Sequence, residues 1–320
     1  QHKWISWERK RGKLHEFNRL LRGAIDTSFM PISGNAPHAP ADVRYVITLD
    51  SDTRLPLNSV RQLVGTAAHP LNQPRIDPHS RRVVEGYGIL QPRITPVLPT
   101  TQESSIFQRI FSGPCGIDPY AGAVSNVYQD LFGEGSYTGK GIYDVDAFET
   151  ALAGRIPDNK ILSHDLFEGI FARCGLVTDI ELFEDFPSHY QVAASRWHRW
   201  IRGDWQLLPW ISGGTNEAIP ILGRWKMLDN LRRSLSAPAM IFTLLASWVL
   251  TGAPVGLWTG YVLLALAAPA ILSITQGLLP HNGISMRSHL RAVAKDLRHG
   301  VSHVFIALTV LAHQAWLAID

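Results

Sequence analysis

The sequence predicts a mixed α/β domain with a mostly parallel sheet and flanking helices, followed by transmembrane α-helices. Strand and helix patterns alternate before Arg233, and this alternation is typical of parallel sheets. After Arg233, the 53 residues 234–286 contain no Asp, Glu, Lys or Arg, although 18% of the chain is charged. At the average composition such a stretch would carry roughly nine or ten charges, so the sequence disfavours a purely soluble globule.

The elements of the α/β domain are predicted from the spacing of apolar residues. Residues 8–21, 59–68 and 161–171 predict helices, residues 43–49 predict the clearest strand, and residues 86–90 predict a weaker one. Ligands bind at the carboxyl ends of the strands in parallel α/β sheets. The polar residues that directly follow residue 49 are therefore the first candidates for a site.

Four regions are predicted along the chain. Residues 1–233 form the α/β domain, and residues 234–280 form a transmembrane hairpin. Residues 281–300 form a basic cytoplasmic loop, and residues 301–320 form either a third membrane helix or an interfacial helix. A hydrophobic hairpin inside a soluble core is the alternative for residues 234–280.

Basic residues flank the predicted hairpin on both sides, and the positive-inside rule places both flanks in the cytoplasm. They are Arg224, Lys226, Arg232 and Arg233 before the hairpin, and Arg287, Arg291, Lys295 and Arg298 after it.

The composition excludes other classes. A hydrophobic content of 46% is too high for a disordered chain, and two cysteines cannot build a disulfide framework. The net charge of +3 comes from scattered basic residues, which predicts no nucleic-acid partner.

Two carboxylates follow the clearest strand. Asp50 and Asp52 flank one small residue at the strand end. Mg²⁺ prefers one or two carboxylates together with phosphate oxygens, so this pair is a candidate metal site. The alternative is a turn in which an Asp caps the strand end.

Other charged residues are candidates for the same site. Lys10 and Lys13 open a helix with a dense cationic cluster, which either contacts a diphosphate or forms a solvated basic face. Asp165 stands at the beginning of another helix, where an acid is either a functional group or a helix cap.

Residues 196–206 contain three Trp and three Arg, which is a costly surface unless it binds something planar, anionic or sugar-like. The candidates within it are Arg196, Trp197, Arg199, Trp200 and Arg202. An aromatic belt at a membrane interface is the alternative.

In order, the segments WERKRGKLHEFNRLLRG, TLDSDTRLP, GKGIYDVDAF, HDLFEG and SRWHRWIRGDWQ resemble the glycosyltransferase domain of cyclic β-1,2-glucan synthases. These are processive, membrane-embedded enzymes of the family-2 type, whose motifs run DxD, TED and QxxRW. The chain departs from that pattern at Arg196, which stands where the family has Gln, and at HDL, which replaces TED. Both departures bear on how the acceptor end is held.

The resemblance implies a GT-A-like fold, UDP-glucose as donor, a growing β-1,2-glucan as acceptor and a divalent cation, Mg²⁺ or Mn²⁺, as cofactor. It implies Asp165 as the catalytic base and Asp52, helped by Asp50, as the metal site. Contacts to the donor are implied for Arg199, Arg202, Lys10 and Lys13, and contacts to the acceptor for Trp200, Arg196 and Trp197.

The resemblance also implies a multi-pass protein of the bacterial inner membrane with a cytoplasmic catalytic domain. It further implies that the first strands of the domain, which would bind uracil, precede Gln1, and that the polypeptide has further domains. The segment is therefore expected to need those strands for activity. A synthase making another linkage remains an alternative. A non-catalytic membrane module that binds nucleotide sugar or polysaccharide is a second.

Overall fold

The computed structural model describes residues 7–30, 39–97, 104–112, 126–162, 164–214, 218–250, 252, 254–277, 283 and 285–320. The chain divides into two compact units. The first comprises Gln1–Leu98, Pro114–Phe186 and Gly203–Leu228, and the second comprises Pro99–Gly113, Pro187–Arg202 and Asp229–Asp320.

The first unit is a mixed α/β structure. Its strands are β1 (Tyr45–Thr48), β2 (Thr53–Arg54), β3 (Arg75–Ile76), β4 (Val83–Glu85), β5 (Ile89–Pro96), β6 (Gly141–Asp144) and β7 (Cys174–Glu184). Its helices include α1 (Arg9–Leu21), α2 (Ser59–Ala68), α4 (Val127–Phe132), α5 (Val145–Leu152), α6 (Asp165–Phe171) and α8 (Leu208–Ile211). The short helix α3 (Ile106–Phe111) belongs to the second unit.

The main sheet has five described strands in the order β1-β6-β5-β7-β2. Only β5 and β7 pair in parallel, whereas β1 with β6, β6 with β5, and β2 with β7 pair antiparallel. The prediction of a mostly parallel sheet is therefore wrong for the described strands. The reasons are β6, which inserts between β1 and β5 and runs opposite to both, and β2, which runs opposite to β7 at the edge of the sheet.

Central strands of this sheet are covered on both faces. Ile142 of β6 packs with Leu63 of α2 and Leu90 of β5, while the next residue, Tyr143, packs with Phe148 and Phe167 on the other face. Successive side chains of a strand point to opposite faces, so one short strand contributes to both cores. The Tyr143 hydroxyl donates to Asn18 Oδ1 of α1 at 2.8 Å, which satisfies a buried polar pair.

Most predicted elements of the first unit are present. The helix predicted over residues 59–68 is α2, and the strand predicted over residues 43–49 is β1. The helix predicted over residues 161–171 begins later, at Asp165, and the weaker strand signal marks the start of β5. The longest described strand, β7, was not predicted from the sequence.

The second unit is helical. It contains α3, the first part of α7 (Tyr190–Gln206), the end of α9 (Ile221–Ser234), and all of α10 (Ser236–Val249), α11 (Val255–Gly277) and α12 (Met286–Ile319). Helices α10, α11 and α12 pack against one another, and α3 packs against α12. A Cβ on Gly300 of α12 would lie 3.0 Å from the Ala270 Cβ of α11, so the small residue permits close helix packing.

Two described helices are long and apolar enough to cross a membrane by length and composition, α11 over Val255–Leu272 and α12. The first predicted span corresponds to α10, whose 14 residues rise only about 21 Å. This is shorter than the roughly 30 Å of bilayer hydrocarbon.

The basic loop predicted over residues 281–300 is largely helical. Residues 286–300 form the first half of α12, which continues without a break into the third apolar run. The Ser285 hydroxyl accepts from the Ser288 backbone N–H at 3.3 Å and caps this helix. The cytoplasmic placement of these residues stays a prediction.

Candidate active site

A group of three carboxylates lies at the end of β1. Asp50 follows β1, and its backbone accepts from the Thr53 N–H at 3.1 Å, which turns the chain into β2. Thr53 of β2 pairs with Glu184, the last residue of β7. This pairing brings Glu184 to Asp50 and Asp52, so that one oxygen of each carboxylate lies within 4.8 Å of the others.

Two lysines pair with carboxylates of this group and offset part of its negative charge. Asp50, Asp52 and Glu184 are called the lysine-paired group below. Lys10 Nζ of α1 lies 2.7 Å from Asp50 Oδ1. Lys140 Nζ lies 3.1 Å from Asp50 Oδ2 and 3.1 Å from Glu184 Oε2.

The charges of the lysine-paired group support one another. Burial raises the pKa of Asp50, but Lys140 and Lys10 more than offset this, so its pKa is lowered overall. Burial likewise lowers the pKa of Lys140, and Glu184 and Asp50 reverse the sign, so its pKa is raised. Lys13 is exposed on α1, and among the described contacts only Lys10 joins that helix to the group.

The lysine-paired group suits a divalent cation bound with phosphate. Its three carboxylates offer the hard oxygen ligands that Mg²⁺ and Mn²⁺ accept. Asp50 and Asp52, at the turn after β1, are the principal candidate ligands, whereas Glu184 is fully buried and paired with Lys140.

A second group of titratable side chains, defined here as the histidine-paired group, lies at the start of α6. It comprises His164, Asp165 and Glu168. His164 Nδ1 lies 2.8 Å from Glu168 Oε1 and 3.8 Å from Asp165 Oδ1. His164 and Glu168 are buried, whereas Asp165 is half-buried.

The pKa of Asp165 is raised, whereas that of Asp50 is lowered. Burial raises the pKa of Asp165, and the Glu168 carboxylate adds to the rise. His164, Lys10 and Lys140 act in the opposite direction without reversing it. At His164, burial lowers the pKa and the Glu168 carboxylate reverses the sign, so the pKa is raised. A carboxylate whose pKa is raised is a better proton acceptor, as a general base requires.

Gly139 joins the two groups. Its carbonyl accepts from Lys10 Nζ at 2.6 Å, and the same Nζ contacts Asp50. A Cβ on Gly139 would lie 2.9 Å from Asp165 Oδ1, and its φ of 81° lies in the left-handed region. Only glycine adopts that conformation at little cost, so the backbone can pass directly beside Asp165.

The segment before Gly139 is held at several points. Glu134 contacts Arg82 and lies 4.0 Å from Lys226 Nζ, and Lys226 Nζ donates to the Gly135 carbonyl at 2.8 Å. Gln91 Oε1 accepts from the Thr138 backbone N–H at 3.0 Å. These contacts hold residues 134–138 in place before Gly139.

Lys226, one of the basic residues that precede the predicted span, lies inside the first unit. It is only 3% exposed and bonds to the first unit's own backbone. Lys140, Glu184 and Glu168 were not predicted as site residues. Lys140 lies in the GKG motif, but the motif alone does not predict which carboxylates the lysine contacts.

The Arg–Trp candidates lie on α7 in the second unit. Arg199, Trp200 and Arg202 are exposed, and the Arg196 guanidinium lies 4.8 Å from the centre of the Trp200 ring. The Trp197 ring lies 6.3 Å from that of Tyr190 in an edge-to-face arrangement. Their contacts to donor and acceptor stay predictions from the resemblance.

The chain contains a mixed α/β unit with clustered carboxylates and a second unit with long apolar helices, which is the organisation that the motif resemblance implied. No protein-family model matches the chain. The chain is 51% identical, over 319 residues and 99% of its length, to the cyclic beta-(1,2)-glucan synthase NdvB of Rhizobium meliloti (strain 1021). It spans 11% of that relative's length. The resemblance is thereby confirmed: the chain is similar to one segment of a cyclic β-1,2-glucan synthase.

Proposed function

We propose that this chain is the sugar-transferring segment of a cyclic β-1,2-glucan synthase. It transfers glucose from UDP-glucose, with inversion, to a growing β-1,2-glucan chain. The observation that carries the proposal is Gly139, which contacts both the lysine-paired group, through Lys10, and Asp165, a carboxylate of raised pKa. The relative's name supports the same chemistry.

The transfer is a single displacement. An acceptor hydroxyl oxygen attacks the anomeric carbon of the donor, a new C–O bond forms, and the bond to the UDP oxygen breaks with its electron pair leaving on UDP. Asp165 takes the hydroxyl proton. Its raised pKa supports this role, because proton transfer is most effective when the pKa of the base lies near the working pH.

The lysine-paired group binds the donor. Asp52, helped by Asp50, would hold a divalent cation, Mg²⁺ or Mn²⁺, near the buried Glu184, and the cation would supply positive charge to the diphosphate when bound. Lys10 adds a cation on the side of this group that faces Gly139. Charge placed beforehand near the leaving diphosphate favours the transition state.

The second unit anchors the protein in the bacterial inner membrane, with the first unit in the cytoplasm. The apolar helices α11 and α12 and the basic start of α12 support this placement. The lipid bilayer and further domains of the same polypeptide are then partners, together with UDP-glucose and the glucan acceptor.

The proposal is tested by transfer of radiolabelled glucose in membranes that contain the full polypeptide. With Asp165→Asn we expect transfer to fall roughly 10²- to 10⁴-fold, because the proton acceptor is lost. The matched control is Asp158→Asn, an exposed acid paired at 3.3 Å with Arg11, which should keep near-wild-type transfer.

Product analysis completes the test. Linkage analysis is expected to return β-1,2 bonds, and another linkage would point to a related processive synthase. Near-wild-type transfer by Asp165→Asn would contradict its assignment as base. Absence of transfer by the wild-type polypeptide, with nucleotide sugar still bound, would favour a non-catalytic binding module.

A further inference from the structure

Lys140 contacts two carboxylates of the proposed donor site from a buried position. We propose that it is a positioning residue: it holds Asp50 and Glu184 together, and thereby fixes the carboxylates of the lysine-paired group for binding a metal–diphosphate. The inference rests on the proposed function and adds a role to a residue that the transfer mechanism does not use.

The first argument is electrostatic. Three carboxylates with oxygens within 4.8 Å of one another repel, and the repulsion is strongest where water is excluded. Glu184 is fully buried, and Lys140 is only 5% exposed. Lys10 reaches Asp50 from a more exposed position, with 34% of its side chain accessible. Among the described contacts, Lys140 is the cation that pairs with Glu184.

The second argument is the backbone on either side of Lys140. Gly139 passes against Asp165, and a Cβ on Gly141 would lie 2.3 Å from the Leu90 carbonyl oxygen. Gly141 also pairs with Thr48 at the end of β1. With both neighbours confined, the Lys140 side chain starts from a fixed point between the two groups.

Another buried lysine provides a contrast. Lys226 Nζ bonds to the backbone carbonyls of Gly135 and Glu134 at 2.8 and 3.3 Å, and none of its described contacts reaches Asp50, Asp52 or Glu184. Lys226→Met is therefore the matched control, because it also removes a buried ammonium group from the same unit. It should lower the melting temperature without changing how nucleotide binding depends on metal.

The experiment measures binding of UDP to the full polypeptide, in detergent, over a range of Mn²⁺ concentrations. We expect Lys140→Met to weaken Mn²⁺-dependent UDP binding at least about tenfold, because a buried charge pair is broken. Adding Glu184→Gln to Lys140→Met removes the uncompensated charge, and should recover binding to within about threefold of wild type.

Three results would overturn the inference. The first is wild-type or tighter Mn²⁺-dependent binding by Lys140→Met, which would mean that the lysine is neutral or competes with the metal. The second is a folded double variant as defective as the single one. The third is the same change in metal dependence for Lys226→Met.

Folding is monitored by the melting temperature. Should Lys140→Met fail to fold, Lys140→Arg keeps the charge but moves it. Weaker Mn²⁺-dependent binding at an unchanged melting temperature then supports the proposal, and wild-type binding overturns it. If the wild-type polypeptide binds no UDP, both the proposed function and this inference are wrong. If the wild type transfers glucose and Lys140→Met binds UDP normally, only the inference is wrong.

Discussion

The lysine-paired and histidine-paired groups contain the same acidic residue types but differ in what neutralises them. Asp50 faces two lysines, and its pKa is lowered. Asp165 lies near His164, which is paired with Glu168, and the pKa of Asp165 is raised. The environment thus separates a carboxylate that stays ionised to bind cations from one suited to accept a proton.

The largest expected effect separates binding from chemistry. Asp52→Ala should abolish divalent-dependent UDP binding, with a loss of about 10²-fold or more, because a hard ligand is removed. Asp165→Asn should bind UDP as the wild type does. Equilibrium binding with and without a chelator measures both variants. Unchanged nucleotide affinity of Asp52→Ala under both conditions would rule out a metal role.

The next effect tests the junction between the two groups. Gly139→Ala places a methyl group 2.9 Å from Asp165 Oδ1, and we expect transfer to fall about 10²-fold because the base is displaced. Gly154→Ala is the control, since Gly154 has a similar φ of 73° and no atom within 4 Å of the added methyl. Equal losses of transfer in both variants would mean that backbone strain alone is responsible.

Part of this comparison could be predicted from the sequence. Local patterns identify β1, α2 and the DSD turn, because β-branched runs and helical spacing act over few residues. Asp165 is found through its motif. The opposite pKa shifts could not be predicted, because they depend on burial and on partners such as Lys140.

What the sequence could not predict is long-range pairing. Glu184 reaches Asp50 because β7 pairs with β2, a strand far away in the sequence, and no local pattern in either strand specifies that pairing. The strand β6 is four residues long and buried on both faces, so it has no alternating pattern that would reveal it or its antiparallel direction.

A smaller effect distinguishes the two lysines predicted on α1. Lys10→Met should lower kcat/KM for transfer about tenfold, because Lys10 links Asp50 to the Gly139 carbonyl. Lys13→Met removes an exposed charge from the same helix and should stay within about twofold of wild type. Equal losses for both lysines would instead indicate a general requirement for positive charge on α1.

The smallest effect is a shift in pH dependence at the histidine-paired group. When protonated, His164 lowers the pKa of Asp165, and it also offsets the Glu168 carboxylate, whose negative charge raises that pKa. Both effects of His164 lower the pKa of Asp165, and His164→Gln removes both, so the pKa of Asp165 should rise. Since the base acts when ionised, the acid limb of the pH profile of kcat should move to higher pH.

The control for that shift is His15→Gln. His15 also pairs with a carboxylate, Glu149 at 3.1 Å, but that pair lies outside both groups, so the acid limb should stay in place. A limb that is unmoved or displaced to lower pH in His164→Gln would contradict the sign of the coupling. It would mean that another group, and not Asp165, carries the observed titration.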